Sequence, residues 1–405
     1  MSTAQRADPV GSSEPVDLGA LRAYRLARVR GELVRRDYAA AVLYDPVNVR
    51  YVTDSRNMAL WTMHNAVRYA FVPAEGPVVV FDFHNCEHLS HGIETVDEVR
   101  PATAWFYYQC GSRTLEAAQR WADEIADLIR RHGGGNRRLA VDHCNAPGVA
   151  ALARHGITVH DAQEVLEEAR KLKSPQELAA IRTAIATCEA GMRAMRRSLT
   201  PGIRENELWA ILHHENITRG GEWIETRLLS SGPRTNPWFQ ESSDRVIRAG
   251  ELVCFDTDLV GPYSYCADIS RAWLAGDGKP TDAQRRLYAL AYEQIEHNMS
   301  LLKPGASFRE ISEKAYKLPE ACAPNRYSVL AHGIGLCDEY PDIRYLQDFD
   351  ARGYDGTLLE NMTLCVESYI GEAGGQEGIK LEEQVLITPE GAVPLSTYPF
   401  EEGFL

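Results

Sequence analysis

Helical and extended hydrophobic patterns alternate along the first 168 residues. LGALRAYRLARVRGELVRR carries apolar positions at helical spacing, AAAVLYD predicts a strand, and RYAFV and GPVVVFDF predict two more. In TLEAAQRWADEIADLIRRH, Leu115, Ala118, Ala122, Ile125 and Ile129 recur on one helical stripe, and Gly133-Gly134-Gly135 ends the helix before the strand RLAVDH. The alternation predicts an α/β amino-terminal domain over residues 1–168. The aromatic run Trp105-Phe106-Tyr107-Tyr108 breaks it, because four consecutive rings cannot all face one core. Edge-strand packing, a dimer interface and a substrate pocket are its open readings.

A new pattern begins after EEARKLKSPQEL, where Ser174, Pro175 and Glu177 form a capping box with proline at the first helical position. This start defines a second domain over residues 169–405. Within it LTPGIRENEL and LKPGASFREI share Leu-x-Pro-Gly followed by Glu, and each copy follows a long helix. The second of those helices opens on its own capping box, Thr281 with Gln284. The repeat predicts an internal duplication with a site at the seam of the two halves.

Acidic residues interrupt the most apolar strands of this second domain. In LVCFDTDLV, Asp256 and Asp258 share one face, and folding the following run YSYCADISRAWL back about Pro262 sets Asp256 opposite Asp268. Folding MTLCVESYI and GIKLEEQVLIT about Gly374-Gly375 sets Glu367 opposite Glu382. Like charges opposed across a ladder are destabilising unless a cation or protons compensate them. His332, opening the flexible His332-Gly333-Ile334-Gly335, adds an imidazole. Five carboxylates and one histidine predict a site for two divalent metal ions.

Composition narrows the class. The chain has 405 residues, 44% of them hydrophobic and 25% charged, enough for two ordinary globular cores. A net charge of -14 and the lack of basic runs argue against nucleic acid as a partner. The opening MSTAQRADPVGSSEPVD lacks the apolar stretch of a secretory signal, and no run reaches membrane-spanning length, so a cytoplasmic protein is expected. Nine irregularly spaced cysteines without Cys-x-x-Cys predict reduced thiols. Cys254, Cys266, Cys337 and Cys365 read as small buried hydrophobes.

The order DTD, CADISR, HGIGL, a glutamate before a glycine-rich turn, then GIKLEEQVLIT resembles the pita-bread family of metallopeptidases and their creatinase and prolidase relatives. The resemblance extends over the chain, since RLARVRGELVRRDYAAAVLYDPVNVRYVT looks like the opening of a creatinase-type amino-terminal domain and KLKSPQELAAIR like its linker. It implies a creatinase-like α/β domain followed by an α+β pita-bread catalytic domain with pseudo-twofold symmetry. The family's bridging aspartates match Asp256 and Asp268, its terminal aspartate Asp258, its metal histidine His332, and its glutamates Glu367 and Glu382. A homodimer is also implied, with the amino-terminal domain reaching over the partner's site.

Two departures redirect the expected activity. The family's peptidases carry one histidine upstream of the first acidic strand and another after His-Gly-x-Gly, whereas this chain has Pro237-Trp238-Phe239-Gln240 and Cys337-Asp338-Glu339-Tyr340-Pro341 there. Creatinase is also a poor match, because its metal ligands are lost and here they are complete. Trp238, Phe239, Tyr263 and Tyr265 are candidate rings for an onium centre. The pattern looks like the dimethylsulfoniopropionate lyase branch of the family. That resemblance implies a small sulfonium substrate cleaved to dimethyl sulfide and acrylate, with Asp338 as base, Glu339 in reserve and Tyr327 orienting substrate. Oxygen-rich ligation favours iron, with manganese, cobalt, zinc or nickel as alternatives. An Xaa-Pro dipeptidase or aminopeptidase is the alternative reading.

Overall fold

The computed structural model describes residues 15–405, so most of the opening segment, read above for a secretory signal, lies outside the described residues. The chain divides into two compact units, one over Asp17–Arg170 and the other continuing from Lys171 to Leu405.

The amino-terminal unit is built on a six-stranded mixed sheet. Its strands are β1 (Ala40–Leu43), β2 (Tyr69–Pro73), β3 (Val79–Asp82), β4 (Glu98–Pro101), β5 (Arg138–Val141) and β6 (Thr158–Asp161), in the order β4-β3-β2-β1-β5-β6. The predicted helices appear at Leu18–Arg35 and Thr114–His132. The second buries Ala118, Trp121, Ala122, Ile125 and Ile129 in a core shared with Tyr44, Tyr69 and Phe81. Leu115 departs from the expected stripe and is exposed, because the first helical turn precedes the packed face. The aromatic run forms no edge strand. Trp105 packs into the core beside Trp121, with ring centroids 5.1 Å apart, while Tyr107 and Tyr108 lie exposed on a short helix, Tyr107–Cys110.

The carboxy-terminal unit carries two three-stranded sheets and a five-stranded antiparallel sheet. The small sheets are ordered β11-β10-β7 and β12-β9-β8. Their strands are β7 (Trp223–Ile224), β8 (Leu229–Ser231), β9 (Leu252–Phe255), β10 (Leu259–Val260), β11 (Cys266–Ala267) and β12 (Arg271–Leu274). The large sheet, ordered β14-β13-β15-β16-β17, comprises β13 (Ala331–Ile334), β14 (Asp338–Ile343), β15 (Thr363–Gly371), β16 (Gly378–Thr388) and β17 (Gly391–Pro394). Both expected capping boxes form, Ser174 with Glu177 ahead of the helix Pro175–Ser198 and Thr281 with Gln284 ahead of Asp282–Leu301. Each Leu-x-Pro-Gly segment leads into a helix, Glu205–Thr218 or Phe308–Lys314, as a duplication requires. No helix among the described residues is long and apolar enough to cross a membrane.

One large core joins the strand hairpins to the helix Asp282–Leu301, through Leu252, Leu274, Tyr288, Ile295, Leu364, Val366, Leu381 and Val385. Trp238 belongs to this core, 6% exposed and with its ring 6.1 Å from that of Tyr369. Trp238→Ala is therefore expected to destabilise the protein by about 3–5 kcal/mol, as core aromatic truncations do. Denaturant unfolding checks this, and a loss within about 0.5 kcal/mol, usual for surface positions, would contradict the packing role.

Candidate metal centre

The acidic hairpin closes through an uncommon turn. Tyr263 and Ser264 both adopt left-handed backbone, and the Gly261 N–H donates to the Tyr265 carbonyl at 2.9 Å. Leu259 pairs with Ala267 and Phe255 with Arg271, so the fold pivots on residue 263, one position later than expected. Asp258 consequently faces Asp268, and Asp256 faces Ser270 in place of Asp268. A shift of two in the pairing preserves every side chain's face, so the three acids still meet.

Both strands of this hairpin stop pairing where the acids lie. Residues 256–258 separate β9 from β10, and 268–270 separate β11 from β12. Thr257 bridges the gap: its hydroxyl donates to the Ala267 carbonyl and accepts from the Ile269 N–H, each at 2.9 Å. Asp258 has a φ of 33°, a conformation that costs a non-glycine residue free energy and here turns its carboxylate inward. Thr226 donates to that carboxylate at 2.6 Å, and the Asp258 N–H donates to Asp268 Oδ1 at 3.3 Å.

The second hairpin pairs as expected, with Glu367 directly opposite Glu382. His332 sits on neighbouring β13, where the pairing with β14 slips between residues 332 and 333. Glycine is required at 333, because a Cβ there would lie 2.4 Å from the Tyr340 carbonyl oxygen. The slip sets Ile334 opposite Asp338 and brings Asp338 Oδ1 to 3.5 Å from His332 Nδ1. Nδ1 is also 3.0 Å from the Gly333 carbonyl, which it satisfies as a donor, leaving Nε2 to face the acids. Nε2 looks toward Glu367 Oε1 at 3.4 Å and toward Asp268 Oδ2 and Glu382 Oε1, each at 3.8 Å.

The six predicted ligands are thus gathered in one place. Potential ligand atoms lie within 4.8 Å of one another in three overlapping groups: Asp256, Asp258 and Asp268; Asp256, Glu367 and Glu382; and Asp268, His332, Cys365 and Glu382. Asp256, Asp268, Glu367 and Glu382 are buried, and Glu382 Oε1 has no hydrogen-bond partner. A buried carboxylate oxygen lacking a hydrogen-bond partner is a costly arrangement without a cation. Burial opposes charge on His332, but Asp338, Glu367 and Glu382 outweigh it and raise the imidazole well above its ordinary value. Oxygen and nitrogen donors of this kind fit divalent metal ions.

Three nearby residues fall outside the sequence-based set. Lys380, two positions before Glu382 and therefore on its face, is completely buried, and its Nζ lies 2.7 Å from Glu367 Oε2 and 3.1 Å from Asp256 Oδ2 and from Glu382 Oε2. Ser270 Oγ lies 2.8 Å from both Asp256 Oδ1 and Glu382 Oε2 and accepts from Lys380 at 2.7 Å. Cys365, read as a hydrophobe, is buried with its sulfur among Asp268, His332 and Glu382. A lysine inside the apolar run of β16 was the available signal for the first of these.

The acids divide their protons unequally. Burial raises the Asp258 carboxyl, reinforced by the charge of Asp256, to about 8. Burial likewise pushes Asp268 and Glu382 up, aided by their carboxylate neighbours. Asp256 runs the other way: burial opposes its charge, but Lys380 and hydrogen bonds outweigh it and hold it at about 2.

The other expected residues separate by face. Asp338 is 66% exposed on its side chain, whereas Glu339, on the opposite face of β14, is buried in an ion pair with Lys173 at 2.7 Å and accepts from the Leu336 N–H at 3.1 Å. Tyr327 lies beneath Lys380, whose Nζ is 4.7 Å from the ring centre, and stacks on Phe239 at 5.2 Å. Phe239 is 57% exposed. Tyr265 is buried and donates to Glu177 Oε1 at 2.9 Å, which fastens the hairpin to the helix Pro175–Ser198. Tyr263 is half-buried in the turn itself.

Two family descriptions match the sequence: metallopeptidase family M24 over residues 179–389 and the creatinase/prolidase N-terminal domain over 25–172. The dimethylsulfoniopropionate lyase DddP of Roseobacter denitrificans is 45% identical over 396 residues, covering 96% of this chain and 88% of the relative. Its counterpart from Roseovarius nubinhibens is 43% identical over 394 residues with the same coverage. Among solved structures, an Xaa-Pro dipeptidase from Bacillus anthracis superposes with a TM-score of 0.73 at 20% identity, covering 94% of this chain and 99% of its own.

Two outcomes follow from this geometry. Metal bound through Asp258 would displace the proton this residue holds near neutrality, so loading metal-free protein with Zn2+ at pH 7 is expected to release about one proton or more. Calorimetry in two buffers of different ionisation enthalpy measures this, and heats independent of buffer would contradict it. The folded state alone holds that proton between about pH 4 and pH 8, so the metal-free protein should lose stability as pH rises through this window. Separately, Tyr265→Phe should cost about 1–2 kcal/mol of stability by removing the bond to Glu177. Thermal unfolding alongside the substrate KM separates this from a binding role, which a raised KM at unchanged stability would indicate.

Proposed function

Because the chain belongs to metallopeptidase family M24, with a creatinase/prolidase-type amino-terminal domain, we infer that its acidic centre serves a metal-dependent reaction, and that this reaction is the cleavage of dimethylsulfoniopropionate to dimethyl sulfide and acrylate. Likeness to lyases at 43–45% identity along nearly the whole chain carries this reading. The dipeptidase likeness, at 20% identity, speaks for the fold alone. The acidic Asp338 beside His332 adds a chemical reason to prefer elimination over peptide hydrolysis.

Asp256, Asp258, Asp268, His332, Glu367 and Glu382 are proposed to hold two divalent ions, with iron the first choice and manganese, cobalt, zinc or nickel as alternatives. When bound, such ions supply Lewis acidity that draws electron density from a substrate carboxylate and acidifies the neighbouring methylene. Asp338 is proposed as the base. Its side chain is 66% exposed and stands 3.5 Å from His332 Nδ1, at the open edge of the ligand set, where a carboxylate can reach a substrate proton. In the elimination the Asp338 carboxylate takes the methylene proton, the C–H electron pair becomes the second bond of the alkene, and the C–S pair departs on sulfur as neutral dimethyl sulfide. Glu339 is withdrawn from this role by its ion pair with Lys173.

The stacked pair of Phe239 and Tyr327 is proposed to face the sulfonium, whose charge an aromatic ring attracts. Burial of Trp238 in the core and engagement of Tyr265 by Glu177 leave this pair as the better-placed rings. A cytoplasmic homodimer is the proposed working form.

Asp338→Asn is expected to lower kcat by roughly a hundred- to ten-thousand-fold with full metal content retained. Turnover and elemental analysis of the same sample check this, and near-normal turnover would overturn the assignment. Phe239→Ala should raise KM for the sulfonium substrate by roughly 2- to 30-fold with little change in stability. Unchanged KM would remove Phe239 from the substrate cage.

A further inference from the structure

Lys380 occupies an unusual position for a basic residue. It is completely buried within an acidic pocket, and its ammonium reaches one oxygen each of Asp256, Glu367 and Glu382 at 2.7–3.1 Å. Those three acids are themselves one of the groups close enough to hold an ion. The ammonium therefore interacts with the same three carboxylates that a second ion would use. Ser270 extends its reach, since the hydroxyl that accepts from Lys380 lies within hydrogen-bond distance of Asp256 and Glu382.

The direction of the remaining oxygens is equally informative. Glu367 and Glu382 give Oε2 to Lys380 and turn Oε1 toward His332 Nε2. One side of the pocket is thus neutralised by the Lys380 ammonium, while on the other side the same carboxylates face the His332 ring. Charge follows the same division. With all five ligand carboxylates ionised, as metal binding requires, one ammonium leaves four negative charges, the number that two divalent ions cancel. An ammonium at hydrogen-bond distance both holds like-charged carboxylates together and repels an incoming cation.

We propose that Lys380 is the resident cation of the metal-free centre, holding Asp256, Glu367 and Glu382 in place before metal arrives and competing with metal for them afterwards. Lysine at this position makes the metal-free protein more stable and its ions easier to exchange. The inference rests on the reading of this centre as a metal site. A lysine that served only to buttress the ligands would act in the opposite sense on affinity, since its loss would weaken metal binding.

The full-length protein is stripped with a chelator and titrated with Mn2+. Metal-free Lys380→Met is expected to melt several degrees below metal-free wild type, and the Mn2+-loaded proteins should melt close together. By linkage, Mn2+ should bind the variant on the order of tenfold more tightly by calorimetry. Lys380→Arg, which keeps the charge, should behave as wild type in both measurements. Lys380→Gln reports the same quantities without the charge if the methionine variant is not recovered. Equal metal-free melting temperatures, or Mn2+ binding weakened by loss of the charge, would overturn the proposal. Failure of wild type to bind Mn2+ would instead overturn the metal reading on which it rests.

Discussion

Mutual repulsion among buried carboxylates is the constraint from which the rest of the carboxy-terminal unit follows. Asp256, Asp268, Glu367 and Glu382 are buried and Asp258 is half-buried, all in close approach, where an ionised group loses hydration. Protons relieve part of this, as the raised Asp258, Asp268 and Glu382 carboxyls indicate. Lys380 relieves another part and, together with hydrogen bonds, pulls Asp256 down. Metal ions bound by the proposed ligands would complete the compensation and tie the proton count of the pocket to its metal content.

Bringing the acids together also disturbs regular backbone structure. The hairpin carrying three of them stops pairing over 256–258 and 268–270, and Thr257 supplies side-chain hydrogen bonds in place of the lost ladder. The left-handed Asp258 and the slip beside His332 are further departures from regular strand geometry. Around them stand fully regular features: the nine-residue pairing of β15 with β16, the capped helices and a continuous apolar core. Irregular backbone here is confined to segments that present functional groups, supported by rigid ones.

Legibility in the sequence followed local signals. The opposition of Glu367 to Glu382 was readable because Gly374-Gly375 marks its turn and both flanking strands are long. The other hairpin misled by one position, since its left-handed residues are Tyr263 and Ser264, neither of which announces positive φ. Asp338 and Glu339 are told apart only by β14 being a strand, whose alternation sends one toward His332 and the other to Lys173. Lys380 was legible only as a lysine inside an apolar run, because a cation among metal ligands carries no motif of its own. Trp238 and Tyr265 sit near the site in sequence, but their burial depends on tertiary packing that no local pattern reports.

The central claim is that this metal centre drives elimination from a sulfonium substrate and not hydrolysis of a peptide bond. Product identification by proton NMR, on metal-loaded protein given dimethylsulfoniopropionate or, separately, Xaa-Pro dipeptides, tests it most directly. The account predicts acrylate and dimethyl sulfide in equal amounts, abolished by a chelator and restored by metal, with no free proline from the dipeptides. Release of proline without formation of acrylate would contradict it.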